Sequence, residues 1–281
     1  MNSSTVIALG LALASTVLIN LAYLREHDAA AALPVLTIRR PVQSARALLT
    51  DRSWLLGFAM ESAGFLLYVA ALKLASLALV QSVAAGGIGL LAFVSSRVAG
   101  RRLGGRERNG MLFSILGLAA LAVSLAGGSG EGAKGSTAVI VLWLVVIAAA
   151  AVFVVTLGRR LLGVAAVEGI AGGLFFSLGD VSTKVATQGG ARFVFVIPLI
   201  LGYTLGTWLL QLGYQRGGAL TVAGLATLLT NAVPIAAGTI VLDEPVPSGA
   251  YGALRILAFA AVTIGAILFA RPERSPAAAA Q

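Results

Sequence analysis

The hydrophobic positions of the chain gather into apolar runs of roughly 20 residues parted by short polar stretches, and each run is long enough to cross a bilayer as a helix. The runs cover 3–24, 54–72, 75–96, 109–127, 137–157, 164–187, 193–214, 219–241 and 252–270. Three runs in 54–127 share length, spacing and polarity with three in 193–270. Such an echo predicts two related halves with a substrate site where they meet, the plan of secondary transporters. The fold predicted is an all-α polytopic membrane protein of about nine transmembrane helices, or ten if 28–52 also crosses. That stretch has an apolar start, Pro34, Pro41 and spaced arginines, and it reads better as an amphipathic helix on the membrane surface. The expected division is a first half at 1–127, a flexible outer loop at 128–136, a second half at 137–270 and a disordered cytoplasmic tail at 271–281.

Composition agrees with this picture. Hydrophobic residues make up 58% of the chain and charged residues 11%, where a soluble domain carries about 25% charged residues. Gly86, Gly87, Gly89, Gly169, Gly172 and Gly173 suit close helix packing, because small residues let backbones approach in lipid. Without cysteine, neither disulfides nor thiolate metal sites can form. His27, between Glu26 and Asp28 just past the first run, reads as part of a solvated loop.

The net charge of +9 is explained by topology, with no nucleic-acid partner needed. Fifteen cations, among them Arg25, Arg39, Arg40, Arg46, Arg52, Arg97, Arg101 and Arg216, fall in one alternating set of loops. The other set holds Lys73, Lys134, Arg192 and Arg255, while Lys184 lies inside a run. Cytoplasmic loops are enriched in Lys and Arg, so the expectation is a multi-pass protein of the cell (plasma) membrane with its C-terminus cytoplasmic and its N-terminus outside. On that topology each run in 54–127 crosses in the sense opposite to its partner in 193–270. Only 28–52 is left as a counterpart for the run at 164–187.

In AGLATLLTNAVPIAAGTIVLDEP, Pro234 sits mid-run and Glu244 closes it. The first half reads Trp54, Gly57, Gly64, Phe65, then Leu79, Val80, Gln81. These residues resemble the drug/metabolite transporter superfamily, in particular its EamA-like and NIPA-like branches. The resemblance implies a transporter, with magnesium as the substrate in the NIPA-like branch, and favours Glu244 as a gating or structural residue. Ser82 stands where that pattern has proline, and Gly-Arg-Arg-Leu closes the third run where it has glutamate.

Ionisable groups inside a bilayer are costly and are functional candidates by default. Glu61 is one, for proton coupling or cation contact. Asp180 and Lys184, at i and i+4, are expected to form an ion pair on a polar stripe with Ser177 and Thr187. Asn231 lies beside the carbonyl that Pro234 leaves without its helix hydrogen bond, as in the broken helices of transporter sites. Gln81 and Gln211 are candidate cavity amides. Trp208, Tyr68, Tyr203 and Tyr214 read as packing or interface anchors, and Glu168 as a partner of Arg159 or Arg160.

The expected function is a secondary transporter moving a small solute by alternating access. The alternatives are a divalent cation transporter and a non-transporting membrane scaffold or accessory subunit, which would need no solvated polar cavity. No catalytic motif, cofactor site or metal cluster is present to suggest an enzyme. Expected partners are a small-molecule or ion substrate, the lipid bilayer and a second copy of the chain in a homodimer.

Overall fold

The computed structural model describes residues 3–37, 39–85, 87, 89, 94, 104–125, 134–160, 162–245 and 248–270. Its α-helices are α1 (Ser3–Ala32), α2 (Pro41–Thr50), α3 (Arg52–Leu74), α4 (Leu77–Ala85), α5 (Gly105–Leu125), α6 (Thr137–Leu157), α7 (Val164–Thr187), α8 (Val196–Tyr214), α9 (Ala219–Val241) and α10 (Gly249–Ala270). No strand occurs among the described residues. Among the described residues, six helical stretches are long and apolar enough to cross a membrane: Ser4–Ala32, Arg52–Leu74, Thr137–Leu157, Val164–Thr187, Gly190–Tyr214 and Thr221–Val241. Helices α5 and α10 coincide with two further expected runs. Most of 86–103, the tail 271–281 and most of the loop 128–136 lie outside the described residues.

Helix α7 is the axis of the molecule. Its apolar window is 78% buried, against 22% for the peripheral α6, whose Val141, Leu142, Val145 and Phe153 face outward. Apolar side chains on an outer surface are what lipid requires. Close approach of backbones explains the burial of α7. A Cβ on Gly173 would stand 2.7 Å from the carbonyl oxygen of Ala226 on α9, and one on Gly169 2.7 Å from that of Val222. On the α8 side, a Cβ on Gly202 would meet the Phe175 carbonyl at 2.7 Å.

The end of α1 corrects the sequence reading. The helix does not stop at Leu24 but runs on to Ala32. Glu26 is therefore not in a loop. It is fully buried together with Ala22, Ala29 and Ala30, while Arg25 and Asp28 on the other face are exposed. One helical stripe of small residues thus carries an acid into the protein, and Gly57 of α3 makes room for it, since a Cβ there would stand 2.8 Å from Glu26 Cγ.

Within 28–52 the surface helix is the ten-residue α2, which starts at Pro41. Leu48 of α2 packs with Ala29, Leu36, Trp54 and Leu212, against Trp208. Asp51 then caps α3, accepting the Trp54 N–H at 2.7 Å. In the packing, α1 lies along α3 as α7 lies along α8.

Overpacking the α7–α9 crossing tests this arrangement. Gly173→Leu should lower stability by about 1–3 kcal/mol, read as a fall in the thermal unfolding midpoint of the detergent-solubilised protein. Gly10→Leu, where nothing lies within 4 Å of the new Cβ, should leave the midpoint in place.

Candidate functional site

Helices α1, α3, α4, α7, α8 and α9 surround a cavity of about 420 Å³. Counting about 1.5 Å per residue from the arginine-rich ends of the helices, Glu61 stands ~14 Å along α3, Asn231 ~18 Å along α9 and Asp180 ~24 Å along α7. Those three residues and Gln81 line the cavity. Glu61 and Asp180 are its charged lining residues, and no lysine, arginine or histidine lines it with them among the described residues.

Asp180 is held from two sides. Tyr203 of α8 donates its hydroxyl to Oδ1, and its ring is pressed on Gly179, where a Cβ would meet it at 2.8 Å. Tyr68 of α3 and Gln81 of α4 stand next to the same carboxyl, with Gln81 donating to the Tyr68 hydroxyl at 2.7 Å. Tyr68 and Tyr203, expected to be packing or interface anchors, thus line the cavity, whereas Tyr214 and Trp208 do not.

The expected ion pair of Asp180 with Lys184 is not formed. The Lys184 ammonium donates instead to the carbonyls of Leu72 (2.8 Å) and Ala75 (2.9 Å), where α3 ends. One helical turn beyond Asp180, the long side chain finds backbone carbonyls that α3 cannot satisfy itself. Ser177 and Thr187 turn back onto their own helix, donating to the carbonyls of Leu174 and Lys184, so the polar stripe does not line the cavity.

Gln211 is also displaced from the expected role. It lies outside the lining, and its amide donates to Glu26 Oε2 at 2.6 Å. Pro234 sits inside a continuous α9 and does not line the cavity, whereas Thr230 and Asn231 do. Glu168 is paired as expected with Arg159, at 3.5 Å, and also with Arg216.

Two features of the site escape a reading by charge alone. Asn20 of α1 and Asn231 of α9 each donate their amide to the carbonyl four residues earlier, Thr16 (2.8 Å) and Thr227 (2.5 Å). Both amides therefore turn their oxygen away from the helix. The spacing Thr-x-x-x-Asn at 16–20 and 227–231 was the available signal. Glu26 is the second feature, hidden by its neighbours His27 and Asp28. Altogether Oδ1 of Asn20, Oε2 of Glu61, Oδ2 of Asp180, Oγ1 of Thr227 and Oδ1 of Asn231 are buried on lining residues and find no N–H or hydroxyl donor.

Glu244 does not line the cavity; it lies just past the C-terminal end of α9. Asp243 adopts a left-handed conformation (φ 51°), which turns the chain so that the Glu244 N–H returns to the Gly238 carbonyl at 2.9 Å. Its carboxylate then accepts the N–H groups of Leu77 (2.7 Å) and Ala78 (3.0 Å), the first residues of α4. Burial raises this carboxyl above its ordinary value, while the two amide donors, Lys184 and Arg255 pull it back.

The fold and the cavity define a multi-pass helical membrane protein with an acidic, oxygen-rich chamber between its helices. A protein to which the chain is similar is described as "Probable magnesium transporter NIPA9" from Arabidopsis thaliana, 24% identical over 287 residues, covering 94% of this chain and 82% of that protein. No family model and no solved structure matches the chain.

Removing the Glu244 carboxylate tests its capping role. Glu244→Ala leaves two buried amide donors of α4 unpaired and should cost about 1–3 kcal/mol, measured as a lower unfolding midpoint. Asp243→Gly, which relieves the left-handed residue, should hold or raise it.

Proposed function

We propose that the chain is a membrane transporter carrying a small, positively charged solute through this cavity by alternating access. The observation behind the proposal is the set of unpartnered oxygens on Asn20, Asp180, Thr227 and Asn231, facing a chamber whose charged lining is acidic. Buried acceptors left without donors are costly, and a solute bringing positive charge or N–H groups supplies what they lack. Asp180 is the anionic contact in this reading, oriented by Tyr203. Asn20 and Asn231 approach from the two halves, and Gln81 positions Tyr68 beside Asp180. Matched packing of α1 on α3 and of α7 on α8 supports the two-half mechanism, since related halves can exchange conformations.

Magnesium is a second reading, favoured by the description of the Arabidopsis relative. The ion takes oxygen ligands and keeps several of its waters, and the chamber has room for both. The aromatic wall of Phe58, Phe65, Phe176 and Tyr203 favours an organic cation, which can lie against ring faces.

The two are separated by reconstituting the full chain in liposomes and measuring uptake of magnesium, through an entrapped indicator, beside a panel of radiolabelled organic cations and neutral metabolites. Cation uptake above that of empty liposomes is expected, falling about tenfold or more in Asp180→Asn. Uptake confined to neutral or anionic metabolites, or no uptake at all, would sink the proposal.

A further inference from the structure

Behind the cavity, on the side of the arginine-rich face, two carboxyl groups come together with no cation beside them among the described residues. Glu61 of α3 lines the chamber, and Glu26 of α1 lies outside the lining with its side chain against Gly57, one helical turn before Glu61 on the same helix. Gln211 of α8 fixes the orientation of Glu26. An amide N–H can only donate to an acceptor, and here it takes Oε2 at 2.6 Å, leaving Oε1 of Glu26 and Oε2 of Glu61 buried without an N–H or hydroxyl donor. No salt bridge reaches either acid among the described residues.

Among the described residues, the surroundings add no positive charge. The groups facing the pair are the phenols of Tyr23 on α1 and Tyr214 on α8, with Asp180 of α7 across the cavity. His27, the next residue after Glu26, sets its ring edge-on to Tyr214 at 5.4 Å. The room for Glu26 is built in, because Gly57 faces its side chain.

Ionised carboxylates are acceptors only, so two of them can bond to one another only through a proton. We propose that Glu26 and Glu61 form a proton-holding carboxyl pair that couples transport to proton movement. One proton bridges Oε1 of Glu26 and Oε2 of Glu61 in the empty cavity. A cation entering the chamber displaces it, and the proton leaves past Glu26 toward the arginine-rich face, where Arg25 and Asp28 are exposed. For a monovalent cation the exchange is neutral, one positive charge entering as the proton departs; for magnesium each exchange carries one net positive charge into the chamber. This proposal rests on the transport reading above and adds its driving ion.

Two measurements on the full-length protein test it. Infrared difference spectra with ¹³C-labelled glutamate should show a protonated glutamate carboxyl at neutral pH that is altered in both Glu26→Gln and Glu61→Gln. This signal does not depend on any substrate, and its absence from the unmodified protein overturns the proposal. In liposomes, the probes are magnesium and radiolabelled choline. Glu26→Gln should keep substrate exchange at equal concentrations within about twofold and lose about tenfold or more of the uptake driven by a pH gradient. Gradient-driven uptake equal to that of the unmodified protein would also overturn the proposal. Failure of exchange for both probes in the unmodified protein, with the infrared signal present, counts against transport of those cations and leaves the carboxyl pair standing.

Discussion

Backbone contact along α7 governs the rest of the architecture. Gly169 and Gly173 let that helix lie directly on Val222 and Ala226 of α9, and the pairing of Gly179 with Tyr203 and Gly202 fits it against α8. In lipid, no hydrophobic force gathers helices, so close van der Waals contact has to supply the association. With α7 locked between two neighbours, Asp180 is fixed deep in the membrane. Its carboxyl points at Tyr203 instead of toward Lys184. A bulkier residue at those glycines would move the acid as well as the helix.

Much of the helical frame could be read from the sequence, because a run of apolar residues leaves few options in a bilayer. The bounds of α6, α7 and α9 coincide with the expected runs. The end of α1 did not, for a definite reason. Arg25, Glu26, His27 and Asp28 look solvated as a string, yet helical geometry sends Glu26 inward and its charged neighbours outward. Hydropathy averages over that difference. The same limit hid the likeness of Asn20 on α1 to Asn231 on α9, which resides in the paired Thr-x-x-x-Asn turns.

The site was legible where an isolated polar residue had only one place to go. Glu61, Asp180, Gln81 and Asn231 all reach the cavity. It was misread where a side chain was long enough to choose. Lys184 passes over the nearby Asp180 to the buried carbonyls of Leu72 and Ala75 at the end of α3, and Gln211 turns to Glu26. Sequence spacing fixes which residues share a helix face; it does not fix which unsatisfied groups a neighbouring helix will offer there.

The turn between α3 and α4 is gripped from both ends by the other half of the chain. Lys184 holds the last carbonyls before it and Glu244 the first amides after it. Both grips are charge-assisted, and both address backbone groups that the helices leave open at their ends. Any motion that parts the halves on this face has to release all four bonds before water can replace them. The barrier to such a motion is therefore mainly enthalpic, and its rate should rise steeply with temperature: the far face behaves as a thermally stiff latch.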